Sequence, residues 1–341
     1  MSLNEGILER KAEHVRLTLE VDPTVRNVWD DLQLVHYALS EENFETVRTT
    51  VLFDQIEVRY PIVCVGMTGG YPGAHQINEN LAHVAAEFQI PMGVGSQRVM
   101  LEHPDQAKSF AVLKDYSVPV RIANIGMTHI GNNTVRYPEI SRIMETIDAN
   151  FIGIHLNVLQ ELCQREGHLE IDRGLEKLRA LSRDLPVLIK ETGAGISRSV
   201  ARELVLTSIR GIDTSGYGGT NFAMIENRRK EHTTVHWTEE WGIPAPISII
   251  EARSCFDRLI IGSGGIRHGL DIAKALALGA DFAGIGGILL RAASQSYQQT
   301  EETLRSMIQD LQRVMILTGS RTLVELRNTR RVFHRELRDW I

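Results

Sequence analysis

The sequence predicts an α/β fold, a single (β/α)8 barrel with an N-terminal extension. From Pro61 onward, eight short apolar stretches alternate with stretches in which apolar residues recur at helical spacing. This alternation favours a parallel sheet, and roughly 230 residues are enough to close eight strand–helix units into a barrel. The last two predicted strands both end in glycine pairs, which is typical of loops at the mouth of such a barrel.

The predicted strands are short apolar runs that end at glycine or polar residues. They cover residues 62–67, 92–95, 120–124, 151–157, 187–191, 211–214, 258–262 and 281–285. Helical periodicity predicts helices over residues 78–88, 140–148, 172–185 and 199–207, and a final covering helix over residues 301–317. The long loop 215–246 interrupts the rhythm, and a loop of that length in a compact domain is usually a functional lid or disordered.

Residues 1–55 form an N-terminal segment that is not a separate domain, and we expect the barrel to occupy residues 56–341. A charged helix is predicted around residues 9–20, and residues 40–53 complete this entry segment. Arg10, Lys11 and His14 place two or three cations within about one helical turn, enough to meet a diphosphate if the segment folds over the barrel mouth. A charged helix face is also often simply solvated, and the pattern alone does not separate the two interpretations.

Composition and charge limit the classes of function. The 341 residues include 37 basic and 43 acidic side chains mixed along the chain, so no broad basic surface for nucleic acid or anionic lipid is expected. There is no apolar signal core at the N-terminus and no apolar stretch of about 20 residues, so neither export nor membrane spanning is expected. Cys64, Cys163 and Cys255 match no metal or redox spacing, which favours buried thiols in a reducing cytoplasm.

The ends of the last two predicted strands indicate a phosphate site. An apolar run at residues 259–261 leads into Gly264 and Gly265, and the next strand leads into Gly286 and Gly287. Bare backbone N–H groups at two neighbouring strand ends, each followed by a helix N-terminus, suit an anion, and loops after strands 7 and 8 of such barrels often hold phosphate. Tight turns without a ligand are the alternative.

A polar cluster follows the fourth predicted strand. His155 and Asn157 alternate with Leu156 and therefore point to one side, and Gln160 and Glu161 follow about one turn later. Such a cluster suits a hydrated divalent ion, since Mg²⁺ usually keeps waters and takes only one or two carboxylates. A hydrogen-bonded network at the barrel rim is the alternative.

Other strand ends also carry polar side chains that would face the mouth. Lys190 ends an apolar strand, where its charge can stabilise negative charge on a cofactor, although it can equally reach out to solvent. Arg98 and Arg267 suit phosphate contacts for the same geometric reason. For Thr68, Ser96 and Asn124, ligand contacts compete with simple turn formation.

At this point the motifs resemble a known group. The run from Gly262 to Asp281, followed by Gly286-Gly287, resembles the phosphate-binding half of FMN-dependent (β/α)8 barrels, which include 2-hydroxy-acid oxidases, dihydroorotate dehydrogenases and IMP dehydrogenase-like enzymes. Five further motifs, in this order, look like those of type 2 isopentenyl diphosphate isomerases. They are the segments 10–14, 67–70, 93–98, 155–161 and 190–193.

This resemblance implies interconversion of isopentenyl and dimethylallyl diphosphate by a 1,3-proton shift, with reduced FMN, Mg²⁺ and NAD(P)H as reductant. It also implies a homo-oligomer, a tetramer or an octamer. By motif, FMN would be held by Met67, Thr68, Ser96, Asn124, Lys190, Ser215, Thr220, Gly265, Arg267, Gly286 and Gly287. The diphosphate would be bound by Arg10, Lys11, Ser96, Gln97, Arg98, His155 and Gln160, with Glu161 as the metal ligand.

The chemistry agrees with these residue types. An alkene is a very weak base, so its protonation needs a dry pocket that stabilises cationic character, with diphosphate binding as remote binding energy. His155, Gln160 and Lys190 are the candidate catalytic residues. We further expect residues 1–20 and 215–246 to close over bound diphosphate.

The alternative is an FMN-dependent 2-hydroxy-acid oxidase or dehydrogenase. Such an enzyme needs a histidine base after strand 6, where this chain has Ser215-Gly216-Tyr217-Gly218-Gly219-Thr220. An IMP dehydrogenase-like enzyme needs a nucleophilic cysteine in the same loop, and no cysteine occurs between Cys163 and Cys255.

Overall fold

The structure is a computed structural model that describes residues 3–20, 27–164, 171–229 and 236–341. Eight parallel strands close a barrel in sequential order, and the last pairs with the first. They are β1 (Ile62–Cys64), β2 (Met92–Gly93), β3 (Arg121–Gly126), β4 (Phe151–Leu156), β5 (Val187–Glu191), β6 (Gly211–Asp213), β7 (Leu259–Ser263) and β8 (Phe282–Ile285). The predicted fold is confirmed, and β5 has the predicted bounds.

Helices cover the outside of the barrel and its mouth. The α-helices are Leu3–Glu20, Ala74–Glu87, Val99–Glu102, Lys108–Ala111, Met127–Gly131, Tyr137–Thr146, Val158–Cys163, Gly174–Asp184, Arg198–Val205, Phe222–Arg229, Ala245–Arg253, Gly269–Ala277, Gly287–Ala293, Tyr297–Leu317, Leu323–Arg327 and Arg335–Arg338. Short 3₁₀ helices cover Val28–Asp31, Pro104–Ala107, Val112–Asp115 and His236–Glu239. The last long helix starts four residues before the prediction because Ser296 caps it through a hydrogen bond from Gln299 N.

The floor of the barrel is closed by a hairpin from the N-terminal segment. Strands Val51–Phe53 and Ile56–Val58 pair antiparallel, and the fully buried Phe53 packs edge-on against Phe151 and near Phe282. These rings belong to a second apolar cluster at this end of the barrel. The expected domain boundary at residue 55 therefore falls inside a hairpin that is part of the barrel core.

The rest of the N-terminal segment serves the mouth and the outer wall. Helix Leu3–Glu20 contributes Ile7, Arg10, Lys11 and His14 to the cavity at the mouth. Strand Leu32–Leu34 pairs antiparallel with Arg331–Phe333 near the C-terminus. Residues 1–2 and 230–235, which belong to the segments predicted to close over the mouth, lie outside the described residues.

Two further expectations can be compared with the structure. Cys64 and Cys163 are buried as predicted, whereas Cys255 is partly exposed. Among the described helices, none is both long and apolar enough to cross a bilayer.

Candidate functional site

The carboxyl ends of all the barrel strands open into one cavity of about 610 Å³. Because the strands are parallel, their following loops meet at the same end of the barrel. Every residue that the sequence suggested for FMN, diphosphate or metal lines this cavity, with the exception of Gln97. These residues therefore share one cavity at the mouth of the barrel.

One wall is the phosphate cup, formed by Gly264, Gly265, Gly286 and Gly287. Gly264 and Gly265 have φ values of 109° and 74°, a region that side chains other than glycine rarely adopt. A Cβ atom on Gly264 would overlap the carbonyl of Gly216, and one on Gly265 would overlap that of Gly218. Glycine is therefore required here because the loops after β6 and β7 pack backbone against backbone.

The other half of the cup is the start of helix Gly287–Ala293. Gly286 precedes it without a side-chain cap, so its first N–H groups are free of the helix's own carbonyls and lie at the cavity. N–H groups at a helix start favour an anion, and the bare glycines leave room for it. The residues present thus fit the phosphate of FMN, as the sequence motif suggested.

Lys11 brings a cation to the opposite wall. Its Nζ donates hydrogen bonds to the carbonyl oxygens of Gly69, at 2.9 Å, and Ser96, at 2.8 Å. Burial, reinforced by the charges of Arg10 and Arg98, lowers its pKa to about 7. An incoming anion would raise the pKa of Lys11 again. The charge of this amine therefore depends on what the cavity contains.

Arg98 and His129 form a second polar pair on this wall. Arg98 Nη1 lies 3.4 Å from His129 Nε2, and its Nε donates to Glu102 at 2.9 Å. His129 is held in turn by Thr134, whose hydroxyl donates to the His129 carbonyl at 3.2 Å. Sequence reasoning missed His129 because it follows strand β3 by three residues, although a histidine just beyond a predicted strand end was a usable signal.

His155 sits beside Asn124 at the centre of the cavity. Its Nδ1 lies 2.8 Å from Asn124 Oδ1, while Asn124 Nδ2 donates to the Val94 carbonyl at 2.9 Å. Burial, followed by the charges of Lys190, His129 and Lys11, lowers the pKa of His155 to about 3. The imidazole is therefore neutral at ordinary pH when no anion is bound.

The structure places Gln97 differently from the sequence-based expectation. Its side chain is fully buried and donates to the Ile143 carbonyl at 3.0 Å, while its Oε1 accepts from Asn124 N at 3.1 Å. It does not line the cavity, because the chain turns into helix Val99–Glu102 at this point. Gln97 supports Asn124 from behind and does not contact the diphosphate pocket.

Asn157 and Glu161 place oxygen atoms on the wall after β4. Asn157 Nδ2 donates to Glu161 Oε1 at 2.9 Å, and its buried Oδ1 has no hydrogen-bond partner. A buried acceptor without a partner, in a residue that lines a cavity, is costly unless a ligand or ion satisfies it. One carboxylate and one amide fit Mg²⁺, which usually keeps several waters and takes few protein ligands. No cluster of three His, Cys, Asp or Glu ligands occurs among the described residues.

Lys190 is the penultimate residue of β5 and lines the cavity as predicted. Its Nζ donates to the Glu191 carbonyl at 2.9 Å and lies 3.9 Å from Asp213 Oδ2. Asp213 also accepts a short hydrogen bond from Ser263 Oγ, so its carboxylate is held in place. Lys190 is thus a charged group fixed between β5 and β6, with a position suited to a cofactor ring or its negative charge.

A network of hydrogen bonds and ion pairs joins the N-terminal helix to the loop after β6, and burial lowers the pKa of His14 within it. His14 Nε2 lies 2.7 Å from Glu226 Oε1, Glu226 pairs with Arg229 at 2.6 Å, and Arg229 pairs with Glu13 at 2.9 Å. Glu226 is almost fully buried, and the hydrogen bonds and charges of His14 and Arg229 outweigh that burial and lower its pKa. Both segments expected to cover the cavity are therefore linked to each other.

Comparison with known proteins shows to which family this chain is related. Residues 163–332 match the model for FMN-dependent dehydrogenases. An isopentenyl-diphosphate delta-isomerase of Methanothrix thermoacetophila is 40% identical, over 94% of this chain and 91% of the relative. Those of Picrophilus torridus and Thermoplasma volcanium are 37% and 35% identical, over 98% of this chain and 99% of each relative.

Solved structures with the same fold include mandelate oxidases. A variant with a monooxide FMN adduct has a TM-score of 0.64 at 16% identity, over 94% of this chain and 92% of that chain. The complex with (S)-2-phenylpropionate has a TM-score of 0.63 at 16% identity, over 94% and 90%. This likeness shows the fold alone, whereas the relatives at 35–40% identity extend along nearly the whole sequence. The chain belongs to the isopentenyl-diphosphate delta-isomerase family.

Proposed function

We propose that this protein isomerises isopentenyl diphosphate to dimethylallyl diphosphate by a 1,3-proton shift, with reduced FMN and Mg²⁺. One observation carries the proposal. A single cavity has a glycine cup suited to a cofactor phosphate on one wall and cations suited to a diphosphate on the other, among them Lys11 and Arg98. A simple phosphate-binding or flavin-binding protein has no need of both walls.

The diphosphate half of the site is built from three parts of the chain. Helix Leu3–Glu20 supplies Arg10 and Lys11, the turn after β2 supplies Arg98, and the end of β4 supplies His155 and Gln160. Binding of the diphosphate, which lies away from the reacting carbons, holds the hydrocarbon tail in place. The binding energy thus serves to orient those carbons. The N-terminal helix then excludes water from the site.

Asn157 and Glu161 are proposed as the protein's share of the Mg²⁺ site. The unpaired Asn157 Oδ1 and the Glu161 carboxylate offer two oxygens beside the diphosphate wall. These residues would suit a hydrated Mg²⁺, because this ion keeps several waters and accepts one or two carboxylates. The metal would neutralise the diphosphate without a dedicated protein cage.

Reduced FMN supplies an electron-rich ring and acid–base capacity at the reacting alkene when it is bound. The protein's part is placement. The phosphate cup binds the cofactor phosphate, Lys190 lies fixed between β5 and β6, and the neutral His155 presents a lone pair to the cavity. In the 1,3-shift one C–H bond forms at the terminal carbon of the alkene, and another breaks at the allylic CH2 group on the diphosphate side. No net electrons are exchanged.

Two further parts of the proposal concern the reductant and assembly. NAD(P)H is proposed to reduce the flavin without stoichiometric consumption, since the isomerisation is redox neutral. A homo-oligomer, a tetramer or octamer, is proposed from the family resemblance. Size-exclusion chromatography with light scattering measures the assembly, and a monomer at micromolar concentration would contradict it.

The decisive experiment is anaerobic incubation with FMN, dithionite, Mg²⁺ and isopentenyl diphosphate in deuterated water, followed by proton NMR. Dimethylallyl diphosphate is expected only in the reduced sample, with deuterium incorporated. A folded, yellow protein that gives no product would contradict the isomerase. Bleaching of the flavin by 2-hydroxy acids in that case would indicate the oxidase alternative.

A further inference from the structure

A segment of the N-terminal extension lies against the loops after β6 and β7, where Asn27 also lines the cavity and Trp29 does not. Asn27 Nδ2 donates to two carbonyl oxygens, those of Gly218 at 2.9 Å and Gly265 at 2.7 Å. Trp29 Nε1 donates to the carbonyl of Gly264 at 2.7 Å. Two side chains about 190 or more residues away in sequence thus bind three carbonyl groups, one in the loop after β6 and two successive ones in the loop after β7.

The bound carbonyl groups determine where the neighbouring backbone N–H groups point. In a trans peptide the C=O of one residue and the N–H of the next point in opposite directions. If Asn27 and Trp29 hold the three carbonyls towards themselves, the next N–H groups point away from them. Those groups belong to Gly219, Gly265 and Ile266, which all line the cavity.

The two donors are themselves held rigidly. Trp29 is fully buried, and its own carbonyl accepts from Lys274 Nζ at 2.7 Å. Asn27 Oδ1 accepts from Trp29 N at 3.1 Å, and Asn27 N donates to Asp30 at 2.9 Å, which closes a capping box. Asp30 also pairs with Arg267 at 2.6 Å. The segment therefore binds the turn after β7 through the side chains of Asn27, Trp29 and Asp30, and the following helix through the Trp29 carbonyl.

We propose that Asn27 and Trp29 are positioning residues for the cofactor phosphate. They hold the loops after β6 and β7 so that three backbone N–H groups converge on one anion. Neither residue needs to touch the phosphate. The inference rests on the proposed binding of FMN, and it assigns to the N-terminal extension a part in cofactor selection in addition to covering the mouth.

The test compares FMN with riboflavin, which has the same ring system and no phosphate. Both are titrated into apoprotein, and binding is measured by quenching of flavin fluorescence. Trp29→Phe removes one donor and keeps an aromatic ring, and Asn27→Ser keeps an N-cap oxygen but lacks the amide donor. Thr207→Val is the matched control, because it removes a buried hydrogen bond to the Leu204 carbonyl outside the cavity lining.

Each variant at Asn27 or Trp29 is expected to bind FMN about tenfold more weakly and riboflavin within about twofold of wild type, as loss of a few charge-assisted N–H contacts would give. Thr207→Val should change neither. Equal losses for FMN and riboflavin would indicate general loosening and overturn the proposal, as would unchanged FMN affinity in both variants. Isomerase turnover does not enter the measurement, so a protein that shows the selective loss but no isomerase activity contradicts the proposed reaction alone.

Discussion

Asn124 determines which nitrogen of His155 carries the proton. Its Nδ2 donates to the Val94 carbonyl, so its Oδ1 faces His155 Nδ1, 2.8 Å away. An amide oxygen only accepts, so Nδ1 must be the protonated nitrogen of the neutral ring. His155 Nε2 therefore carries a lone pair, and the residue is an acceptor until a bound anion raises its proton affinity.

The first prediction concerns this tautomer. In the free protein, ¹⁵N NMR of labelled histidine should show His155 as the neutral Nδ1–H form from pH 5 to 8, since burial lowers its pKa to about 3. Asn124→Leu should remove the preference and let the Nε2–H form appear. A His155 signal that titrates within that pH range would contradict the assignment.

The second prediction uses the pKa of Lys11, about 7 in the free protein. Above this pH the amine is mostly neutral and below it charged, so binding of an anion favours proton uptake at higher pH. Affinity for magnesium pyrophosphate should therefore fall as the pH rises from 7 to 9. Calorimetry in two buffers with different ionisation enthalpies should show net proton uptake relative to Lys11→Arg.

Lys11→Arg is the matched control because arginine stays charged throughout this range. The titration of pyrophosphate itself is common to both proteins, so only the difference between them reports on residue 11. Identical pH profiles for the two proteins would show that Lys11 is already charged in the free site.

The sequence predicts those parts of the site that depend on local pattern. Strand β5 has its predicted bounds because its apolar run is followed by two charged residues, Lys190 and Glu191, and the polar ends of parallel strands all reach one mouth. Gln97 was misplaced because the turn into the next helix sets the direction of its side chain. The alternation of side chains along a strand does not predict that direction. The contacts of Asn27 and Trp29 were not predictable either, since they depend on how a distant segment packs.

The third prediction tests the network between the N-terminal helix and the loop after β6. Glu226→Gln removes a buried charge that faces both His14 and Arg229, a change that costs roughly 3 kcal/mol when a buried pair is broken. Amide hydrogen exchange in helix Leu3–Glu20 should then become about 100-fold faster. Pyrophosphate affinity should fall, whereas FMN affinity should not change.

Arg16→Ala is the control on the same helix. Arg16 pairs with Glu20 in an exposed i,i+4 contact, which contributes little to stability. Exchange in this variant should stay close to wild type. In the wild-type protein, added magnesium pyrophosphate should also protect this helix from protease, and unchanged cleavage would contradict closure over the ligand.

The fourth prediction concerns the metal. Removal of Mg²⁺ with EDTA should abolish isomerisation, and Glu161→Gln should raise the Mg²⁺ concentration needed for half-maximal activity by tenfold or more, about the effect of one lost carboxylate ligand. Glu176→Gln, an exposed carboxylate on the helix after β4, should behave as wild type. An unchanged Mg²⁺ dependence in Glu161→Gln would place the ion elsewhere.

The last prediction concerns His129, whose Nε2 lies 3.4 Å from Arg98 Nη1. The guanidinium already donates from Nε to Glu102, so His129 holds the other side of its fork and aims it into the cavity. His129→Leu keeps an apolar volume but loses this contact, and magnesium pyrophosphate should bind about three- to tenfold more weakly, the effect of one hydrogen bond to a charged group. FMN affinity should not change, because the phosphate cup lies on the opposite wall.

His75→Leu is the control for His129→Leu, since His75 is exposed outside the cavity and its ring nitrogen lies 3.3 Å from the Lys108 carbonyl oxygen. His129→Gln offers a second comparison, because an amide can accept from Arg98 and should recover part of the affinity. Recovery by glutamine but not by leucine would assign the effect to orientation of Arg98. Equal losses in both variants would instead indicate that the imidazole contacts the diphosphate itself, since only that role needs a ring that can be protonated.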